Sequence, residues 1–225
     1  MKRLDCENQT TALKSLADIT GICVERIWDV FLGHDYVSEY ENGRFHCDFL
    51  DHLYNRFIEF FEIQNVEIDE ICWFHLARTM APELFRTHGI LPRKDAYFLV
   101  NQGECKSPNL CSPIFNKECQ GPFAILVKDI AFCPKSVGHH DYLMVPELME
   151  DLGLSNVYKN NGTSLIVKFI THPEYEPYHY LKHVLYYLYN CRHMTHLDMY
   201  CNTCFDAKGI PILPSSFLYV EEVRQ

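Results

Sequence analysis

Near residue 65 the apolar pattern of this chain changes its period, and that change limits the folds open to it. Before it, apolar residues recur at helical spacing. After it, short runs rich in β-branched and aromatic residues alternate with turns and helices. "TTALKSLADITGICVERIWDVFLG", from residue 10, carries Leu13, Leu16 and Ala17, then Ile22, Val24, Ile27, Trp28 and Phe31. Gly21 breaks a first helix and Gly33 ends a second. A third helix is predicted over 48–63, with Leu50, Leu53, Phe57 and Phe60/Phe61 on one face and Asp48 as its cap.

Beyond residue 66 the expected strands are 70–75, 96–100, 122–128, 164–170 and 217–223. Helices are expected over 81–88, 146–152 and 176–190, the middle one with Pro146 at its start and Gly153 past its end. The last has Leu181, Val184, Leu185 and Leu188 as its stripe and a row of tyrosines, which suit either a stacking surface or a half-buried helix. Residues 101–121, rich in Asn, Pro, Cys and Gly, read as a long surface loop. The pattern predicts an α+β fold: a helical N-terminal unit over 1–65 and a body over 66–225 built on a mixed or antiparallel sheet.

Leu16-Ala17, Gly21, Ile27 and Gly33 have spacing that resembles a repressor-type helix-turn-helix. The would-be reading helix holds Glu25, Arg26 and Asp29, however, and residues 1–45 hold five basic against eight acidic residues. That balance suits a phosphate-lined groove badly. A formal charge of −10 for the chain likewise disfavours a broad nucleic-acid surface. Residues 10–63 are therefore read as a structural unit or a protein-partner surface. No apolar run is long enough to span a membrane, and the basic start lacks an apolar segment behind it. Eleven cysteines without a secretory signal predict reduced thiols and a cytoplasmic protein.

The candidate site is "ICWFHLARTMAPELFRTHGILPR", 71–93. A strand ending in His75, followed by Arg78 and a helix start, would bring together an imidazole, a guanidinium and unsatisfied N–H groups. Those features suit a nucleotide or other anionic small molecule. The structural alternative is a strand-end His bonded to backbone and an Arg in a surface ion pair. A second candidate, "GHHDYLMVPELMEDL" from residue 138, offers His139, His140, Asp141, Glu147 and Glu150 without an HExxH spacing. A third offers Cys191, His193, His196, Cys201 and Cys204. Cys201-x-x-Cys204 has the bite of a zinc ligand pair, and buried free thiols are the alternative.

The strand, His75, polar turn, helix and Gly89-Ile90 resemble the opening of ADP-ribosyltransferase-like proteins, an opening shared by the DNA- and tRNA-modifying members. The resemblance covers about twenty residues and implies NAD as cofactor. His75 would contact the ribose, with Arg78 and Thr79 beside it and Gly89 after the first helix. Tyr97 or Phe98 would stack on nicotinamide, and Glu221 or Glu222 would stabilise the cationic centre. Leu76-Ala77 stand where that family has Gly-Thr or Ile-Thr, and Thr79 comes two positions later. The stretch is also similar to uncharacterised bacterial proteins with an H-x-x-R-T…G-I/L-L-P segment. Alternation lets only one of Glu221 and Glu222 face the ligand. The competing reading is a non-enzymatic ligand-sensing or protein-interaction module, with or without zinc.

Overall fold

A computed structural model describes residues 1–32, 46–100, 121–133, 142–145, 149–150, 153, 155–193 and 195–223. Among them it forms an α+β fold, and the chain divides into two compact units. One comprises Met1–Cys72, Leu126–Gly138 and Thr171–Thr203; the other comprises Trp73–Ile125, His139–Ile170 and Cys204–Gln225.

The first unit holds β1 (Arg3–Leu4), α1 (Gln9–Thr20), α2 (Val24–Ile27) and α3 (His46–Phe60). It also holds α7 (Pro177–His193), so the long tyrosine-rich helix packs on α1 and α3. Helix α1 begins with a capping box that the residue pattern alone did not bring out: Asn8 accepts from the Thr11 amide, and Thr11 Oγ1 accepts from the Asn8 amide, both at 3.0 Å. Gly21, at φ 76°, ends it in the left-handed conformation. The expected second helix is one turn of α2 followed by a 3-10 turn, Trp28–Phe31, too short for a DNA-reading helix. On α3, Leu50, Leu53 and Phe57 are buried as spaced, whereas Phe60 faces outward. Tyr180, Leu181, Val184, Leu185, Tyr187 and Leu188 bury the facing side of α7. Burial of each large side chain contributes about 1.5–3 kcal/mol.

Tyrosine hydroxyls packed into protein need partners, and carboxylates from neighbouring segments supply them to the tyrosines of α7. Tyr187 donates to Asp129 at 2.5 Å, Tyr186 to Asp198 at 3.0 Å, and Tyr178 to Asp51. Burial and these carboxylates push the Tyr186 and Tyr187 hydroxyls well above their ordinary range, so they remain donors.

The sheet runs in the order β5-β3-β2-β4-β6, with β1 added parallel to β2. Its strands are β2 (Glu70–Thr79), β3 (Phe123–Ile125), β4 (Thr163–Thr171), β5 (Cys204–Asp206) and β6 (Phe217–Val223). The pairs β2–β3, β3–β5 and β4–β6 are antiparallel. Among the described residues, the second unit also holds the α-helices α4 (Glu83–His88), α5 (Arg93–Val100) and α6 (Ser155–Asn161). From Ser164 to Phe169, β4 is buried on both faces, which explains why its sequence is mostly apolar without alternation, with Lys168 as the one charged residue in the stretch.

The structure departs from two of the expected elements. Residues 96–100 are helical, as the end of α5, and do not form a strand. Pro92 just before Arg93, and Asp95 in the first turn, are helix-start chemistry that outweighed the β-propensity of "AYFLV". The strand expected to end at His75 continues to Thr79. Residues 101–120 of the segment 101–121 expected as a loop, and most of the expected helix 146–152, lie outside the described residues.

Candidate functional site

His75 lies on β2, half-buried. Its Nδ1 stands 2.7 Å from the carbonyl oxygen of Phe123 on β3. A carbonyl only accepts, so Nδ1 carries the hydrogen and Nε2 presents its lone pair. Nε2 has no partner among the described residues. The Phe85 ring of α4 lies alongside, centroids 6.1 Å apart. Burial holds the imidazole pKa below its ordinary 6.5, against the Phe123 carbonyl, which favours the protonated ring. No carboxylate contributes to the shift. His75 is therefore a neutral acceptor at physiological pH.

Arg78 does not join it. Residues three apart on a strand point to opposite faces, and β2 extends past both. Every nitrogen of the Arg78 guanidinium donates to protein, through four of its five N–H groups. Nε donates to the Tyr158 carbonyl at 2.7 Å and Nη2 to the Lys159 carbonyl at 2.8 Å. Nη1 donates to Ser164 Oγ at 2.7 Å and to the Leu143 carbonyl at 3.2 Å. Tyr158 and Lys159 belong to the last turn of α6, so Arg78 caps a helix C-terminus, where a cation is favoured. Its stem lies against Gly162, where an added Cβ would come within 2.9 Å of Arg78 Cγ. The expected pairing of imidazole and guanidinium around one anion is replaced by two separate roles.

The other residues of the resemblance separate in the same way. Thr79 Oγ1 accepts from the Ala81 amide at 3.1 Å and shapes the turn after β2. Gly89 has φ 78°, and a Cβ there would sit 2.1 Å from the carbonyl oxygen of Ile212. It is the point of closest backbone approach in a two-way pairing of Ile90 with Ile212, both bonds 2.9 Å. Tyr97 lies on α5, and its side chain falls outside the described residues.

Sheet parity decides between the two glutamates. Lys168 Nζ sits over the rings of Phe74 and Tyr219, at 5.5 and 5.6 Å, and Arg78 reaches Ser164. These contacts put Ser164, Lys168 and Tyr219 on the Arg78 face. Glu221, two residues from Tyr219 and opposite Ile166, joins that face. Glu222, opposite Leu165, shares the face of His75. Strand β4 lies between them, so the two backbones are roughly 10 Å apart. Leu165 and Val167 on the intervening strand are fully buried.

Cys191 lies half-buried on α7, His196 is exposed, Cys201 is fully buried and Cys204 is exposed at the start of β5. The Cys201 thiol sits 3.8 Å from Asp198 Oδ1, and Asn190 Nδ2 donates to its sulfur at 3.6 Å. Burial pushes the Cys191 and Cys201 thiols up, Cys201 far above its ordinary range. Among the described residues no group of three or more His, Cys, Asp or Glu is placed to hold a metal ion. His139, His140, Asp141 and Glu147 lie outside the described residues, and Glu150 is exposed.

The fold and this geometry define an α+β protein with a strand-borne neutral histidine as its candidate binding group. No protein-family model, no curated protein and no solved structure matches the chain. No helix among the described residues is long and apolar enough to cross a membrane.

One consequence is measurable without a ligand. The pKa values of His75, His179 and His183 are all lowered by burial. The unfolded chain then binds more protons in the window from about pH 6.5 downward. Stability is expected to fall as pH drops through that window and to be flat above it. Urea midpoints at pH 7.5 and 5.5 test this; equal midpoints would contradict it. His75→Asn should make the dependence shallower.

Proposed function

We propose that this chain binds a hydroxyl-bearing ligand at His75, with the ribose of a nucleotide as the leading candidate, and acts as a ligand-sensing module. The observation that carries this reading is the 2.7 Å contact between Nδ1 and the Phe123 carbonyl, which orients Nε2 as an acceptor. A ribose hydroxyl donates to such an acceptor, and the Phe85 ring supplies an apolar wall beside it. With Arg78 engaged elsewhere, the phosphates are left to other groups or to solvent.

A second reading, an NAD-using ADP-ribosyltransferase-like enzyme, is favoured by one observation: Glu222 shares the His75 face. In it, Glu222 would stabilise the developing cation and His75 would orient the ribose. The fully buried Leu165 and Val167 between the two weigh toward the binding module.

The test uses a substitution that separates structure from recognition. In His75→Asn, the side-chain amide can still donate to the Phe123 carbonyl, but no group replaces Nε2. Titration calorimetry with NAD and with adenosine should show binding to the wild type and at least tenfold weaker binding to the variant. Equal binding by both proteins, or none by the wild type, would remove the ribose site. Nicotinamide release from NAD by the wild type, lost in Glu222→Gln, would replace the module with the enzyme.

A further inference from the structure

We propose that His179 and His183 form a two-histidine chelate for a divalent transition-metal ion. The site lies in the first unit and is independent of the ribose reading.

The two histidines are four residues apart in the first turns of α7, where Cβ atoms at i and i+4 lie on one face roughly 5–6 Å apart. Their ring centroids are 6.1 Å apart and both rings are half-buried. Each ring has one nitrogen committed and one open. His183 Nδ1 donates to the Tyr200 carbonyl at 2.8 Å, leaving Nε2 as a lone pair. His179 Nε2 stands 3.2 Å from Thr203 Oγ1, a hydroxyl that can accept or donate; in the tautomer that donates to it, Nδ1 is the open lone pair. A carbonyl or hydroxyl behind the second nitrogen is the arrangement that orients metal-binding imidazoles. Neither open nitrogen has a partner among the described residues.

The surroundings keep both rings neutral, as ligation requires. Burial is the largest cause for both rings and the Lys182 charge adds to it, against the Tyr200 carbonyl and the Asp51 carboxylate, which favour the protonated His183 ring; the net direction for both is downward. Lys182 would also repel a metal, but its Nζ is held 3.3 Å from Asp51 Oδ1 and 3.4 Å from the Tyr178 hydroxyl. The Asp51 carboxylate offsets its charge. The Tyr175 ring packs on His179 at 4.6 Å and limits its rotation. Two imidazoles with water in the remaining positions suit zinc, nickel or cobalt(II). A metal there would tie the first two turns of α7 to the 200–203 segment.

Cobalt(II) is the probe, because it distinguishes this site from the cysteines: thiolate ligation gives intense near-ultraviolet charge-transfer bands, whereas imidazole and water give only weak visible bands. The full chain is titrated with cobalt(II) under reducing, anaerobic conditions. His183→Asn keeps a donor to the Tyr200 carbonyl, and His179→Gln keeps a contact to Thr203, so a purely structural role would survive both. The expected result is 1:1 binding with weak visible bands. Affinity should fall at least tenfold in each histidine variant and stay unchanged in Cys191→Ser. In the wild type, paramagnetic shifts of two histidine spin systems report the same site should a variant fail to fold. Strong charge-transfer bands, binding indifferent to both histidine variants, or no binding would overturn the proposal.

Discussion

Arg78→Leu is expected to destabilise the protein by about 4 kcal/mol. This guanidinium donates four hydrogen bonds, three of them to backbone carbonyls. Bonds to a charged group contribute roughly 1.5–3 kcal/mol each, less for those near solvent, and each carbonyl left dry without a partner costs about 1–3 kcal/mol. The Tyr158 carbonyl keeps its bond from the Gly162 amide at 2.8 Å, which spares part of the loss. Ser164 Oγ keeps its bond to the Leu143 carbonyl at 2.6 Å for the same reason. The melting temperature should fall by about 10 °C, on the scale of roughly 2–4 °C per kcal/mol for a chain this long. Arg78→Lys should recover little, because one ammonium cannot reach four acceptors arranged around a planar fork. The competing expectation is distinct: an anion-binding arginine would lose ligand affinity and leave stability nearly untouched. A change below about 1 kcal/mol in urea unfolding would return Arg78 to that role.

Gly89→Ala is expected to cost about 3 kcal/mol or more, through a clash and through backbone strain together. The residue has φ 78° and ψ −158°, a region that is essentially glycine's own and costs roughly 1–3 kcal/mol for other residues. The new methyl would overlap the Ile212 carbonyl oxygen at 2.1 Å, an atom of backbone that is itself bonded to the Ile90 amide. Relief requires breaking the pairing of Ile90 with Ile212. Gly21→Ala is the matched control: its φ is 76°, but nothing lies within 4 Å of the added Cβ. It should cost only the left-handed term, about 1 kcal/mol. Equal losses in the two variants would show that the Ile212 approach is not what requires glycine at 89. Chemical denaturation of both proteins measures the difference directly.

Both variants turn residues that a site reading would assign to ligand into residues that hold the fold. Local signals in the sequence were sufficient wherever one period dominated. The runs rich in β-branched and aromatic residues over 217–223 and 164–170 appear as β6 and β4 within a residue of expectation. The stripe Leu181, Val184, Leu185 and Leu188 appears as the buried face of α7. Such patterns survive because burial of one face is itself what selects helix or strand. They failed where two local signals competed: in "LPRKDAYFLV" the helix-start chemistry prevailed over the aromatic and β-branched residues.

The site was legible as residue types and not as an arrangement. By itself the sequence determined the α+β class, the positions of the main strands and the chemical capacity of His75, Arg78 and the glutamates. Only the tertiary structure decided which capacities are free for a ligand. Extending β2 by four residues beyond His75 sent Arg78 to the opposite face, where the α6 carbonyls consume it. The β4–β6 register put Glu222, not Glu221, on the His75 side. The helix carrying His179 and His183 became a candidate metal site because the Tyr200 carbonyl and Thr203 hydroxyl arrive from about twenty residues away. Hydrogen-bond partners at such separations follow from strand parity and chain packing, and no local period in a sequence encodes them.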